Sequence, residues 1–80
     1  MLESPQEARN LDYDRYAKAI LSALLKLEME EPDLSDIWVF TSIPEDLIRE
    51  LLEKGLVNIP DNVRRIKDNR RRRILYERKE

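Results

Sequence analysis

Arginine and lysine crowd the last quarter of the chain, and the chemistry they offer is phosphate binding. Residues 62–80 contain nine basic and three acidic residues, whereas residues 1–61 contain six basic and fourteen acidic ones, so the net charges are +6 and −8. The planar guanidinium group donates paired hydrogen bonds to phosphate oxygens. We therefore predict that the nucleic-acid contacts are Arg64, Arg65, Lys67, Arg70, Arg71, Arg72 and Arg73.

Side chains that enzymes depend on are largely missing. The chain has no histidine and no cysteine, which removes the usual acid–base group at neutral pH and excludes disulfides and zinc sites built from those residues. No glycine-rich phosphate loop occurs. Five carboxylates cluster between Glu28 and Asp36, but they lack the spacing of a calcium loop. We predict a protein that is not an enzyme and has no catalytic residue, metal or cofactor.

The chain is long enough for one small domain. Eighty residues fit a single domain, divided here into a polar N-terminal segment (1–10), an acidic helical body (12–57) and a basic C-terminal segment (61–80). Apolar runs are much shorter than a membrane span, and the first residues lack the pattern of a secretory signal. These features predict a cytoplasmic protein that binds neither a membrane nor a small-molecule substrate.

Apolar residues at helical spacing predict two of the helices that must position the basic segment. The first helix is expected from about Asp12 to Glu30, with Pro5 as an alternative start. Its stripe repeats at intervals of three and four residues and consists of Tyr13, Tyr16, Ile20, Leu24 and Leu27. A later helix is expected between Ser42, which has capping-box spacing to Glu45, and Gly55, which suits a left-handed helix end. Its apolar face consists of Leu47, Ile48, Leu51 and Leu52.

Between these two, a short helix is predicted over about residues 34–40, with Asp33 or Ser35 as its cap. It carries large apolar groups on more than one side, which leaves two interpretations. The favoured one makes Trp38 the largest residue of the core. The other makes this helix a protein contact, because Trp and Phe frequently anchor interfaces. The predicted protein-binding residues are Trp38, Phe40, Glu45 and Arg49.

The basic C-terminal segment has two interpretations. A helix from Asp61 is favoured, because Arg, Lys and Glu are good helix formers and poor strand formers. The alternative is a β-hairpin turning at Asp68-Asn69, with Ile66 opposite Arg71 and Val63 and Ile66 on opposite faces. Residues 78–80 are expected to fray.

Residues 34–57 resemble the helix-turn-helix of winged-helix proteins. The resemblance rests on Leu34-Ser35, Ile37, Thr41-Ser42-Ile43-Pro44, Leu47-Ile48, Leu51-Leu52 and the closing Glu53-Lys-Gly-Leu-Val57. Together with the helical patterns above, it predicts an all-α domain of three to four helices with a helix-turn-helix-like core and an Arg-rich C-terminal helix, or a winged helix if the C-terminal segment is a hairpin. The helix in the recognition position is acidic, so we expect it to serve packing or a protein contact, because phosphates repel carboxylates.

These observations favour a non-enzymatic accessory or regulatory subunit of a DNA- or RNA-processing machine. Its helical body would dock on a protein, and its Arg-rich segment would contact nucleic-acid phosphates. Two alternatives are a winged-helix DNA-binding regulator and an adaptor that binds only proteins. A third explanation for the charge asymmetry is that the basic segment packs on the acidic body of the same chain.

Overall fold

Within residues 5–79, three helices and a two-stranded hairpin make up the fold. The computed structural model describes the backbone of residues 5–79 and the side chains of residues 13–79. The elements are α1 (Pro5–Leu27), α2 (Leu34–Thr41), α3 (Glu45–Glu53), β1 (Arg65–Asp68) and β2 (Arg73–Glu77). The predicted small helical domain is confirmed, but the all-α class is wrong because the basic segment forms an antiparallel hairpin instead of a helix.

The long helix α1 contributes one wall of the core, as its apolar stripe predicted. Ile20 and Leu24 are fully buried, while Tyr13 and Tyr16 pack at the edge of the core. The helix ends before the predicted Glu30, because Glu28 has a φ of 54°. None of the helices in the described residues combines the length and apolar composition needed to cross a membrane.

The junction between α2 and α3 differs from the predicted capping box. Ser42 has a φ of 63° and ends α2, with its backbone N–H donating to the Trp38 carbonyl at 2.7 Å. A left-handed residue does not have the extended backbone of an N-cap. Pro44 takes that position for α3, without a side-chain hydrogen bond. The predicted Ser42–Glu45 capping box is therefore wrong.

The end of α3 follows the prediction. Gly55 has a φ of 71°. Its N–H donates to the Leu52 carbonyl at 3.1 Å, and the N–H of Leu56 donates to the Leu51 carbonyl at 3.0 Å. These two bonds are a Schellman motif, which satisfies carbonyls that would otherwise lack helical partners. The apolar face of α3 packs inward, with Ile48 and Leu51 fully buried.

The hairpin has a longer loop than the alternative prediction gave it. Asp68 pairs with Arg73, so the loop consists of residues 69–72, and Ile66 lies opposite Tyr76 instead of Arg71. Val63 and Ile66 are both fully buried. Val63 lies outside β1, with its N–H bonded to the Pro60 carbonyl at 3.1 Å. The prediction that Val63 and Ile66 lie on opposite faces of a strand is therefore wrong, because Val63 is not part of β1.

The segment between α1 and α2 lies along the other edge of β1. The N–H of Arg64 donates to the Glu30 carbonyl at 2.7 Å, and that of Lys67 donates to the Pro32 carbonyl at 2.9 Å. A parallel bridge joins Asp33 to Lys67. β1 is thus paired on both sides, which favours strand over the helix that local propensity predicts.

Asp33 joins the start of α2 to the hairpin loop. One carboxylate oxygen accepts from the Ser35 N–H at 2.9 Å and the Ser35 hydroxyl at 2.6 Å, and the other accepts from the Asn69 N–H at 2.8 Å. Partial burial disfavours the charged carboxylate, but these hydrogen bonds and nearby Lys67 outweigh it, so the pKa of Asp33 lies below its ordinary value.

We expect Asp33→Ala to lower the free energy of unfolding by about 1–2 kcal/mol, measured by urea denaturation. Because its pKa is lowered in the folded state, Asp33 contributes full stability above pH 3.8, its ordinary pKa. That contribution is lost as the pH falls through the lower, folded-state pKa. Asp33→Ser keeps a capping oxygen without this titration, so its acid unfolding profile should be flatter. An unchanged profile would contradict the prediction.

Candidate nucleic-acid interface

Four consecutive arginines lie at the tip of the hairpin. Arg70, Arg71 and Arg72 belong to the loop, and Arg73 begins β2. The N–H of Arg72 donates to the Asn69 carbonyl at 3.3 Å, and Arg72 has a φ of 55°. The bond from Arg72 to Asn69 closes a turn of four residues, and hairpin loops of this length are most often built around a turn. The loop therefore concentrates positive charge at one end of the molecule.

A buried ion pair fixes the base of this loop. The Asp68 side chain is 1% exposed and accepts from Nε of Arg49, on α3, at 3.1 Å. Its other oxygen accepts from the Arg71 N–H at 3.3 Å. Burial disfavours the charged guanidinium, but hydrogen bonds to Asp46 and Asp68 outweigh it, so the pKa of Arg49 lies above its ordinary value. The loop is thus tied to α3 through Asp68 and to α2 through Asp33.

The two outer arginines of the tip pair with acidic residues of α3. Arg70 Nη1 lies 3.3 Å from Glu45 Oε1, and Arg73 pairs with Glu53. The Arg70 side chain stays 75% exposed. Exposed ion pairs of this kind stabilise a protein by at most about 1 kcal/mol. They hold the loop beside α3 while leaving both guanidinium groups within reach of solvent.

The two central arginines project without internal neutralisation. Arg71 and Arg72 are exposed, and neither has an ion pair with any of the described side chains. Arg64 is also exposed without such an ion pair, whereas Lys67 is half-buried and lies near the Asp33 carboxylate. Arg65 differs, because a hydrogen bond to Glu77, with Glu31 nearby, raises its pKa above its ordinary value. Packing of basic groups on the chain's own acids thus accounts for only part of the cluster.

α3 presents an acidic surface beside the basic loop. The Asp46 side chain is 93% exposed, and Glu53 is also exposed. Glu50 pairs with Lys54 at 3.0 Å. Because carboxylates repel phosphates, the side of the domain suited to a polyanion is the hairpin tip.

The predicted protein-contact residues lie in three different environments. Trp38 and Phe40 are 46% and 48% exposed, so the interpretation of Trp38 as the largest residue of the core is wrong. Glu45 is half-buried beside Arg70. Arg49 is buried, and its guanidinium is used inside the chain.

Two residues, Asp68 and Arg78, hold the hairpin in place although the sequence predicts no such role for them. Asp68 was assigned only to a turn, and its partner Arg49 lies in another element, so spacing gave no signal. Arg78 was expected to fray, yet its guanidinium donates to the Val63 and Pro60 carbonyls, each at 3.0 Å. Both residues act across elements that are distant in the chain, which local pattern does not reveal.

Comparison of the chain with protein-family models, curated proteins and solved structures found no match to any of them.

Proposed function

We propose that this chain is a non-enzymatic accessory subunit of a machine that acts on DNA or RNA. Its hairpin tip contacts backbone phosphates, and its helical body docks on a protein. The observation that supports this most is the exposure of Arg71 and Arg72 at the tip, without ion pairs to the described side chains. The contact is with backbone phosphates, and it does not include stacking on bases, since no aromatic residue accompanies the four arginines of the tip.

A short generic duplex tests the phosphate contact through its salt dependence. Each phosphate neutralised adds about −0.9 to the slope of log K against log salt, so two to four contacts give a slope of about −2 to −4. Fluorescence anisotropy between about 50 and 200 mM salt measures it. Absence of binding at low salt would contradict the phosphate contact. An adaptor that binds only proteins would then be the remaining candidate. The same titration with a single-stranded RNA of equal length shows which of the two nucleic acids binds more tightly.

A winged-helix DNA-binding regulator is the second candidate. It is favoured by the order of elements, because α2 and α3 are followed directly by a hairpin with a basic loop, where a wing would lie. The acidic surface of α3 weighs against entry of that helix into a major groove. A strong preference for one duplex sequence would support this candidate over the accessory subunit. Recovery of a partner protein after nuclease treatment of a pull-down would support the subunit.

A further inference from the structure

Three large apolar side chains at the C-terminal end of α2 are exposed. Trp38, Val39 and Phe40 are 46%, 71% and 48% exposed. Trp38 and Val39 line a common depression of the surface together with Ser42. Exposed apolar patches commonly mark interaction sites. The patch borders the start of α3, where the groove described next begins.

A groove of about 320 Å³ lies between α2 and α3. It is lined by Trp38, Pro44, Glu45, Asp46 and Arg70. An indole face attracts cations, and carboxylates form charge-assisted hydrogen bonds with guanidinium and ammonium groups. The groove therefore offers an aromatic wall and two carboxylates, which together suit an arginine or lysine side chain.

Arg70 demonstrates that a guanidinium reaches this groove. Its Nη1 lies 3.3 Å from Glu45 Oε1, while its side chain is 75% exposed. Because the arginine end of this pair is in solvent, while the Glu45 side chain is only 15% exposed, we expect a competing cation that also buries apolar surface to replace Arg70 beside Glu45. Asp46 keeps a 93% exposed side chain although it pairs with Arg49, which leaves a carboxylate oxygen accessible from solvent.

We propose that this groove, with the apolar patch beside it, binds an arginine- or lysine-bearing amphipathic segment of a protein partner. The apolar side of that segment covers Trp38 and Val39, and its cation lies between the Trp38 ring and the carboxylates of Glu45 and Asp46. Charge complementarity supports this occupant, because α3, which supplies both carboxylates of the groove, contains four acidic residues and one basic residue. The inference rests on the protein-docking half of the proposed function and names the chemistry of the partner.

Fluorescence of Trp38, the sole tryptophan, reports on the groove directly. The probe is an amphipathic helical peptide with arginine on one face and leucine on the other. We expect a saturable change of Trp38 fluorescence, and Glu45→Gln with Asp46→Asn should weaken binding about five- to tenfold. Glu28→Gln with Glu30→Gln removes the same charge from exposed residues outside the groove and should change the affinity less than twofold. Circular dichroism of both double variants establishes that they are folded.

Arg70→Ala separates this proposal from the phosphate contact. Removing the internal competitor should tighten peptide binding about two- to threefold, whereas it should weaken duplex binding. Failure of duplex binding with intact peptide binding would overturn only the nucleic-acid half of the function. The groove proposal is overturned by an absent peptide signal, by equal affinity for a peptide with glutamate in place of arginine, or by equal weakening in both double variants. It is also overturned if Trp38 fluorescence depends on protein concentration alone, which would assign the groove to a second copy of the chain.

Discussion

Replacing Asp68 with alanine is expected to lower the free energy of unfolding by about 3–5 kcal/mol. The substitution removes the buried carboxylate that accepts from Arg49 Nε at 3.1 Å and leaves the buried guanidinium with Asp46 alone, whose side chain is 93% exposed. It also removes the acceptor of the Arg71 N–H at the base of the loop. Domains of this size have only about 5–15 kcal/mol of stability in total, so the loss is a large share. Urea denaturation followed by Trp38 fluorescence and circular dichroism measures it.

Two further variants separate the ion pair from other effects of the substitution. Asp61→Ala removes a carboxylate whose side chain is fully exposed and 3.7 Å from Arg78, and its effect should stay within about 0.5 kcal/mol. Arg49→Met combined with Asp68→Leu removes both buried charges. This double variant should recover most of the stability lost by Asp68→Ala, because no charged group is then left buried without its partner. A loss below about 1 kcal/mol for Asp68→Ala would show that the pair does not stabilise the hairpin.

Helices were predictable from sequence because their signals are local. The stripe of α1 and the glycine that ends α3 act within one or two turns, and both appear in the structure as the pattern predicts. Residue Ser42 shows the limit of such signals, since a serine between two helices suits the end of one as well as the start of the next. Its left-handed backbone at the end of α2 decided between them.

The hairpin was not predictable as the favoured state, because its stability comes from distant contacts. Its strands are rich in residues that favour helix, and what holds β1 is pairing with β2 on one side and with residues 30–33 on the other. The buried Asp68 has the same origin, since its partner Arg49 lies on a different element. A charged residue enters a core at low cost only when such a partner is already in place.

The same contacts explain how much of the candidate site could be predicted. The basic residues could be identified from the sequence, because charge is a property of composition. Which of them face solvent was not readable, because Arg70 and Arg73 pair with α3 and Arg65 pairs with Glu77, whereas Arg71 and Arg72 do not pair with the described side chains. In the hairpin, Arg70 and Arg73 pair with α3, whereas Arg71 and Arg72, which lie between them in the sequence, extend into solvent.

Replacing both projecting arginines, Arg71→Ala with Arg72→Ala, is expected to lower duplex affinity by nearly two orders of magnitude at about 0.1 M salt. Each lost phosphate contact reduces the slope of log K against log salt by about 0.9, so the slope should become less steep by about 2. The fold should persist, because neither side chain has an ion pair with the described residues and the Arg71 N–H keeps its bond to Asp68. Anisotropy titrations at several salt concentrations measure both quantities.

A matched variant shows whether position or total charge matters. Arg15→Ala with Lys26→Ala removes the same two charges from exposed positions on α1, and we expect less than a threefold loss with an unchanged slope, because these residues lie on a different element from the tip. Arg72→Gly adds a second test, since glycine adopts the 55° φ of this position without strain. It should reduce the slope by about 1 without lowering the free energy of unfolding. Equal losses in the α1 and tip variants would mean that net charge alone attracts the duplex, and the hairpin tip would then have no specific role.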